Sequence, residues 1–128
     1  MEFTVSDVIC ASAEAIYNGF LDSDVHSAMT GAPADVNGEL DKTFTAWEGY
    51  ITGKNLELKP YSHIKQSWRT KQFEEGQEDS IVEISLVEIE AGTTRITIHH
   101  SNLTEAGRKY ENGWTIHYFE PMKKHFEK

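Results

Sequence analysis

Hydrophobic spacing along this chain switches from helical steps to a period of two at about residue 35, and back to steps of three and four at about residue 105. A period of two belongs to strands with one face against a core, and steps of three and four to helices with one apolar stripe. Such a run of strands has an apolar face that must be covered, and the C-terminal segment is the one element large enough to cover it. An α+β arrangement follows: a curved antiparallel sheet wrapped around a long C-terminal helix.

The details fill in that outline. Residues 2–10 alternate loosely through Phe3, Val5 and Ile9 and predict a first strand. Ser12 suits the N-cap of a short helix carrying Ala13, Ile16, Tyr17 and Phe20. Asp22 or Ser23 caps a second one carrying Val25, His26 and Met29, which Gly31 and Pro33 terminate. Turn signals at Asn37-Gly38, Gly53, Lys59-Pro60, Glu75-Gly76 and Ala91-Gly92 separate extended stretches at Lys42–Trp47, Tyr50–Leu58, His63–Thr70, Ser80–Ile89 and Thr93–His100. The alternation of Val82, Ile84 and Leu86 shifts phase at Val87 and Ile89, which predicts a bulge or the strand's end. The last helix spans roughly 105–128, with Lys123, Lys124 and Lys128 complementing its dipole and Pro121 expected to kink it.

At 128 residues the chain suits a single domain, residues 1–128, with one core. No apolar run reaches the roughly 18 residues of a membrane span, and the first residues lack a secretory pattern. Cys10, expected on a buried strand, is the one cysteine, which suits the reducing cytoplasm. Charge is uneven: residues 1–48 carry nine acids and one base, residues 49–128 twelve acids and eleven bases. An acidic first third repels phosphate backbones and argues against nucleic-acid binding. It could dock a basic partner, although a solvated acidic face explains it as well.

Several stretches together resemble the activator of heat-shock-protein-90 ATPase homologue family, within the START-like (SRPBCC) superfamily. They are 13–17 (AEAIY), 26–33 (HSAMTGAP), 44–58 (FTAWEGYITGKNLEL), 64–69 (IKQSWR), Gly113-Trp114, and 118–124 (YFEPMKK). The resemblance covers nearly the whole chain and implies the helix-grip fold, with two short helices after the first strand. It is to the C-terminal domain of the family's two-domain co-chaperone and does not extend to the activating motif of the N-terminal domain. It implies a domain that binds a chaperone or other protein partner, or a small hydrophobic ligand in a cleft under the last helix.

Candidate chemistry is sparse. His99 and His100 are adjacent strand residues and face opposite sides, and His117 and His125 lie two turns apart, so no compact metal-ligand spacing exists. No nucleophile elbow or phosphate-binding glycine pattern occurs. Glu48, Glu57, His117 or Glu120 could form an acid–base pair if the fold turned them into the cleft, which would favour a small hydrolase or cyclase. Without that, the reading is non-enzymatic: no catalytic residue, no metal, no cofactor, oligomeric state open. The candidate cavity residues are Tyr17, Met29, Phe44, Tyr50, Trp68, Trp114 and Tyr118, large side chains that either complete the core or wall an apolar space. Arg69, beside Trp68, should face outward.

Overall fold

A computed structural model describes residues 1–126. Strand β1 (Phe3–Ile9) leads into helices α1 (Ala13–Leu21) and α2 (Ser23–Thr30). Strands β2 (Thr43–Ala46), β3 (Ile51–Lys59), β4 (His63–Thr70), β5 (Ser80–Glu90) and β6 (Thr93–Ser101) follow. A 3-10 turn (Glu105–Arg108) then opens a helical run of α3 (Lys109–Trp114), a π turn (Thr115–Phe119) and α4 (Glu120–Phe126). The six strands form one curved antiparallel sheet in the order β1-β6-β5-β4-β3-β2, gripping the C-terminal helix.

Local chemistry accounts for the helix ends. Ser12 accepts a hydrogen bond from the Ala15 N–H at 3.1 Å, and Asp22 from the Val25 N–H at 3.0 Å. The Ala13 N–H, unpaired within α1, donates to the Glu88 carboxylate of β5 at 2.9 Å and ties helix to sheet. Gly31 ends α2 in the left-handed region (φ 79°). The strand over 2–10 stops at Ile9, where the Ala11 N–H folds back onto the Ile9 carbonyl. Cys10 sits at that bend and is exposed, contrary to the expected buried strand position.

Burial alternates along β4 and β6 and along β5 as far as Leu86, and it ends in a register shift between Glu88 and Glu90. Ile64, Val82, Ile84, Ile96 and Ile98 are fully or almost fully buried on the inner face, each contributing about 1.5–3 kcal/mol on burial. Trp114, Tyr118, Phe119 and Met122 meet them from the helix. The outer face carries polar pairs, including Arg69 with Asp79 at 2.6 Å and Thr4 with His99 at 2.9 Å. Buried Asn55 of β3 donates to carbonyls of Asn37 and Glu39 and accepts from Gln66, which pins the 37–42 loop to the sheet.

Two elements differ from the sequence expectation. Gly53 is not a turn residue: it lies inside β3, opposite Phe44 of β2 and Trp68 of β4. The irregularity in the last helix is a π turn just ahead of Pro121. Pro121 brings no N–H to the His117 carbonyl, and the wider turn closes with the Glu120 N–H on the Thr115 carbonyl. Of the three lysines expected at the helix end, Lys128 lies outside the described residues. No helix among the described residues is long and apolar enough to cross a membrane.

Candidate functional site

One end of the sheet and the C-terminal helix enclose a pocket of about 140 Å³. Trp47 and Tyr50 come from the β2–β3 turn, Ile51 from β3 and Trp68 from β4; Tyr110, Gly113, Trp114, His117 and Tyr118 come from the helical run. Trp47 and Tyr50 are half-buried and His117 is exposed, so the pocket opens on that side.

The turn that supplies Trp47 is bent sharply. Trp47 (φ 52°), Glu48 (φ 55°) and Gly49 (φ 83°) are consecutive left-handed residues, and this ends β2 at Ala46, one residue short of its expected extent. Each non-glycine residue there costs of order 1–2 kcal/mol. The Glu48 N–H donates to the Pro33 carbonyl at 2.9 Å and the Tyr50 N–H to the Trp47 carbonyl at 3.0 Å, which holds the conformation. The Trp47 ring meets the His117 ring edge-on at 5.0 Å across the mouth.

The π turn shapes the opposite wall. By widening one turn it lets Trp114 and Tyr118 face the pocket while Phe119 and Met122 also enter the core. The Trp114 and Trp68 rings lie 5.8 Å apart and tilted, and Trp114 and Tyr118 lie 4.9 Å apart.

Two buried histidines take up the polar tips of these rings. The Trp114 indole donates to Nδ1 of His100 at 3.0 Å, so Nε2 of His100 carries the proton and donates to the Ser80 hydroxyl at 2.7 Å. Ser80 in turn donates to the Trp68 carbonyl at 2.8 Å. Burial pushes the His100 imidazole down to about 3, and neighbouring His99 adds to the effect. On α2, Nδ1 of His26 donates to the Phe20 carbonyl at 3.0 Å, so Nε2 accepts from the Tyr118 hydroxyl at 2.9 Å. Burial lowers the His26 pKa, against the pull of the Phe20 carbonyl, and raises that of Tyr118. The Tyr110 hydroxyl bonds Thr70 at 2.6 Å. The pocket therefore presents mainly ring faces. Nε1 of Trp47 is the one buried side-chain nitrogen or oxygen among the described residues with no hydrogen-bond partner.

Of the candidate cavity residues, Tyr50, Trp68, Trp114 and Tyr118 stand on this wall, and Tyr17, Met29 and Phe44 do not. Tyr17 packs edge-on against Tyr61 in the β3–β4 turn, toward the other end of β4 from Trp68. Met29 is buried against Gly19, where α1 and α2 touch. Phe44 shares the sheet row of Trp68, but its ring fills the space over Gly53. The spacing Tyr110-Trp114-His117 could have identified two further wall residues. Nothing in the sequence signals the left-handed run that turns Trp47 inward. The candidate acid–base groups stay apart: Glu57 pairs with Lys59 at 3.4 Å, Glu120 lies 3.9 Å from Lys123, Glu48 is exposed, and only His117 reaches the pocket. No three His, Cys, Asp or Glu side chains among the described residues are arranged to hold a metal ion.

Comparison with known proteins agrees with this architecture. The mouse activator of 90 kDa heat shock protein ATPase homolog 1 is 28% identical over 98% of the chain, which spans only 37% of that protein's length. The crystal structure of an HSP90 activator from Plasmodium falciparum superposes with a TM-score of 0.89 at 19% identity, covering 98% of this chain and 95% of that one. The solution structure of the Aha1 dimer from Colwellia psychrerythraea superposes at 0.83 with 18% identity, covering 99% and 96%. At these identities the two structures speak to the fold alone. A family model described as Activator of Hsp90 ATPase homolog 1-like protein matches residues 10–127, and the chain belongs to that family.

Proposed function

We propose that this chain is a non-enzymatic binding domain whose pocket under the C-terminal helix takes a small, apolar ligand. The observation that carries the reading is the pocket's wall: Trp68, Trp114, Tyr110 and Tyr118 turn their rings to it, while the polar tips of the last three are engaged within the protein. Its volume of about 140 Å³ is close to the ~150 Å³ of an apolar cavity known to hold benzene. Ring faces exclude water poorly paid for by hydrogen bonds and favour a flat hydrocarbon or aromatic occupant. The reading sets the domain in the cytoplasm, where a lone exposed thiol such as Cys10 stays reduced.

A second reading, direct regulation of a chaperone ATPase, draws on the named function of the mouse relative and on the acidic first third of the chain as a face for a basic partner. Native mass spectrometry of the protein purified from its own host separates the two. A retained small-molecule mass that Trp68→Ala or Trp114→Ala removes supports the ligand reading. A bare protein that raises the ATPase rate of the purified chaperone overturns it in favour of the second.

A further inference from the structure

Six of the nine residues lining the pocket are tryptophan or tyrosine, and none is Lys, Arg, Asp or Glu. The face of an aromatic ring is the negative end of its quadrupole and attracts a cation, tryptophan most strongly. Two of these rings are made richer in electrons by the bonds at their tips. The Trp114 N–H donates to His100 at 3.0 Å and the Tyr118 hydroxyl to His26 at 2.9 Å, and a donor polarised by its acceptor passes charge back into its own ring. Tyr110 already holds a cation: the Lys109 ammonium, which is not part of the wall, lies 5.5 Å from its ring centre. The surroundings favour the same sign of ligand, since the chain carries a net charge of −9 and exposed Glu48 follows Trp47 in the turn beside the mouth. An anion would meet no counter-charge in this wall. A primary ammonium would need acceptors for three N–H groups, and the hydroxyls of Tyr110 and Tyr118 are already engaged within the protein. A fully methylated ammonium has no N–H to satisfy.

We infer that the pocket takes a small molecule bearing a trimethylammonium group, with its positive charge held by the rings of Trp68, Trp114 and Tyr118. The inference rests on the ligand-binding reading above and narrows it: the buried head is apolar over its surface, which is all methyl groups, and yet positively charged. Its methyls meet the ring carbons as a hydrocarbon would, and the charge adds the attraction that a hydrocarbon lacks. The rest of the molecule leaves by the open side, between Trp47, Tyr50 and His117.

The test compares two isosteric probes, choline and 3,3-dimethyl-1-butanol, by calorimetric titration of the wild-type protein. The second replaces the charged nitrogen with carbon and keeps the shape. Choline should bind at least about tenfold more tightly, and its N-methyl protons should move upfield in the NMR spectrum as they enter the field of the rings. Equal or weaker binding of choline, with the neutral probe bound, overturns the inference and leaves the pocket reading standing. Choline that binds with its methyl protons unshifted sits on surface carboxylates instead, which also overturns it. If neither probe binds, both fail. Trp68→Leu should bring the affinity ratio of the two probes toward one, and an unchanged ratio in the folded variant counts against the inference. Should that variant not fold, the wild-type comparison alone decides.

Discussion

At the scale of single residues, the two buried histidines do the most to define the pocket, although neither lines it. His100 accepts from Trp114 and His26 from Tyr118, so each fixes a wall ring by its tip. Both imidazoles are neutral in the fold because burial disfavours their charged form. Their folded pKa values lie below the ~6.5 of an unfolded histidine, so below about pH 6.5 the unfolded chain binds more protons than the folded one. Stability is therefore complete above that pH and declines as pH falls toward about 3 for His100. Each histidine contributes a slope of up to about 1.4 kcal/mol per pH unit in that window. Urea midpoints measured between about pH 7 and pH 5 should fall for the wild type and fall less steeply for His100→Gln. Equal slopes would contradict a neutral His100. Sequence reasoning found no metal-ligand spacing among the histidines but did not reach this arrangement, because pairing His26 with Tyr118 requires α2 and the last helix to meet in space.

At the scale of elements, the alternation of β4, β5 and β6 was legible because each buries one face continuously, whereas β2 and β3 were blurred. Gly53 looks like a turn in sequence because glycine often marks one. In the sheet it is the position where Phe44 and the Ser67 carbonyl come too close for a side chain. A Cβ there would sit 1.9 Å from that carbonyl oxygen and 2.6 Å from the Phe44 ring. The ring can rotate aside, but the carbonyl is held in the sheet. Gly53→Ala should therefore destabilise the domain by about 3 kcal/mol or more, read as a lower urea midpoint at unchanged m-value. A variant as stable as wild type would mean that β2 and β3 pair differently. The π turn was illegible for a related reason. Pro121 marks where a backbone hydrogen bond must be missing, but whether the helix kinks or widens is decided by what Trp114, Tyr118, Phe119 and Met122 pack against.

At the scale of the whole molecule, the order of elements and the sequence stretches were enough to identify the helix-grip fold and the family. The pocket was legible only in part. Periodicity shows which face of a strand or helix is apolar, not which end of the sheet that face occupies. Tyr17, Met29 and Phe44 are large, mainly apolar side chains like Trp68 and Trp114, and they pack around α1, α2 and Gly53 instead. The account's central claim, an apolar binding pocket between the β2–β3 turn and the C-terminal helix, is tested most directly by titrating benzene into ¹⁵N-labelled protein and mapping amide and indole shifts. Saturable shifts confined to residues 47–51, 68 and 110–118 are predicted; no saturable shift, or shifts centred on Tyr17 and Met29, would contradict it.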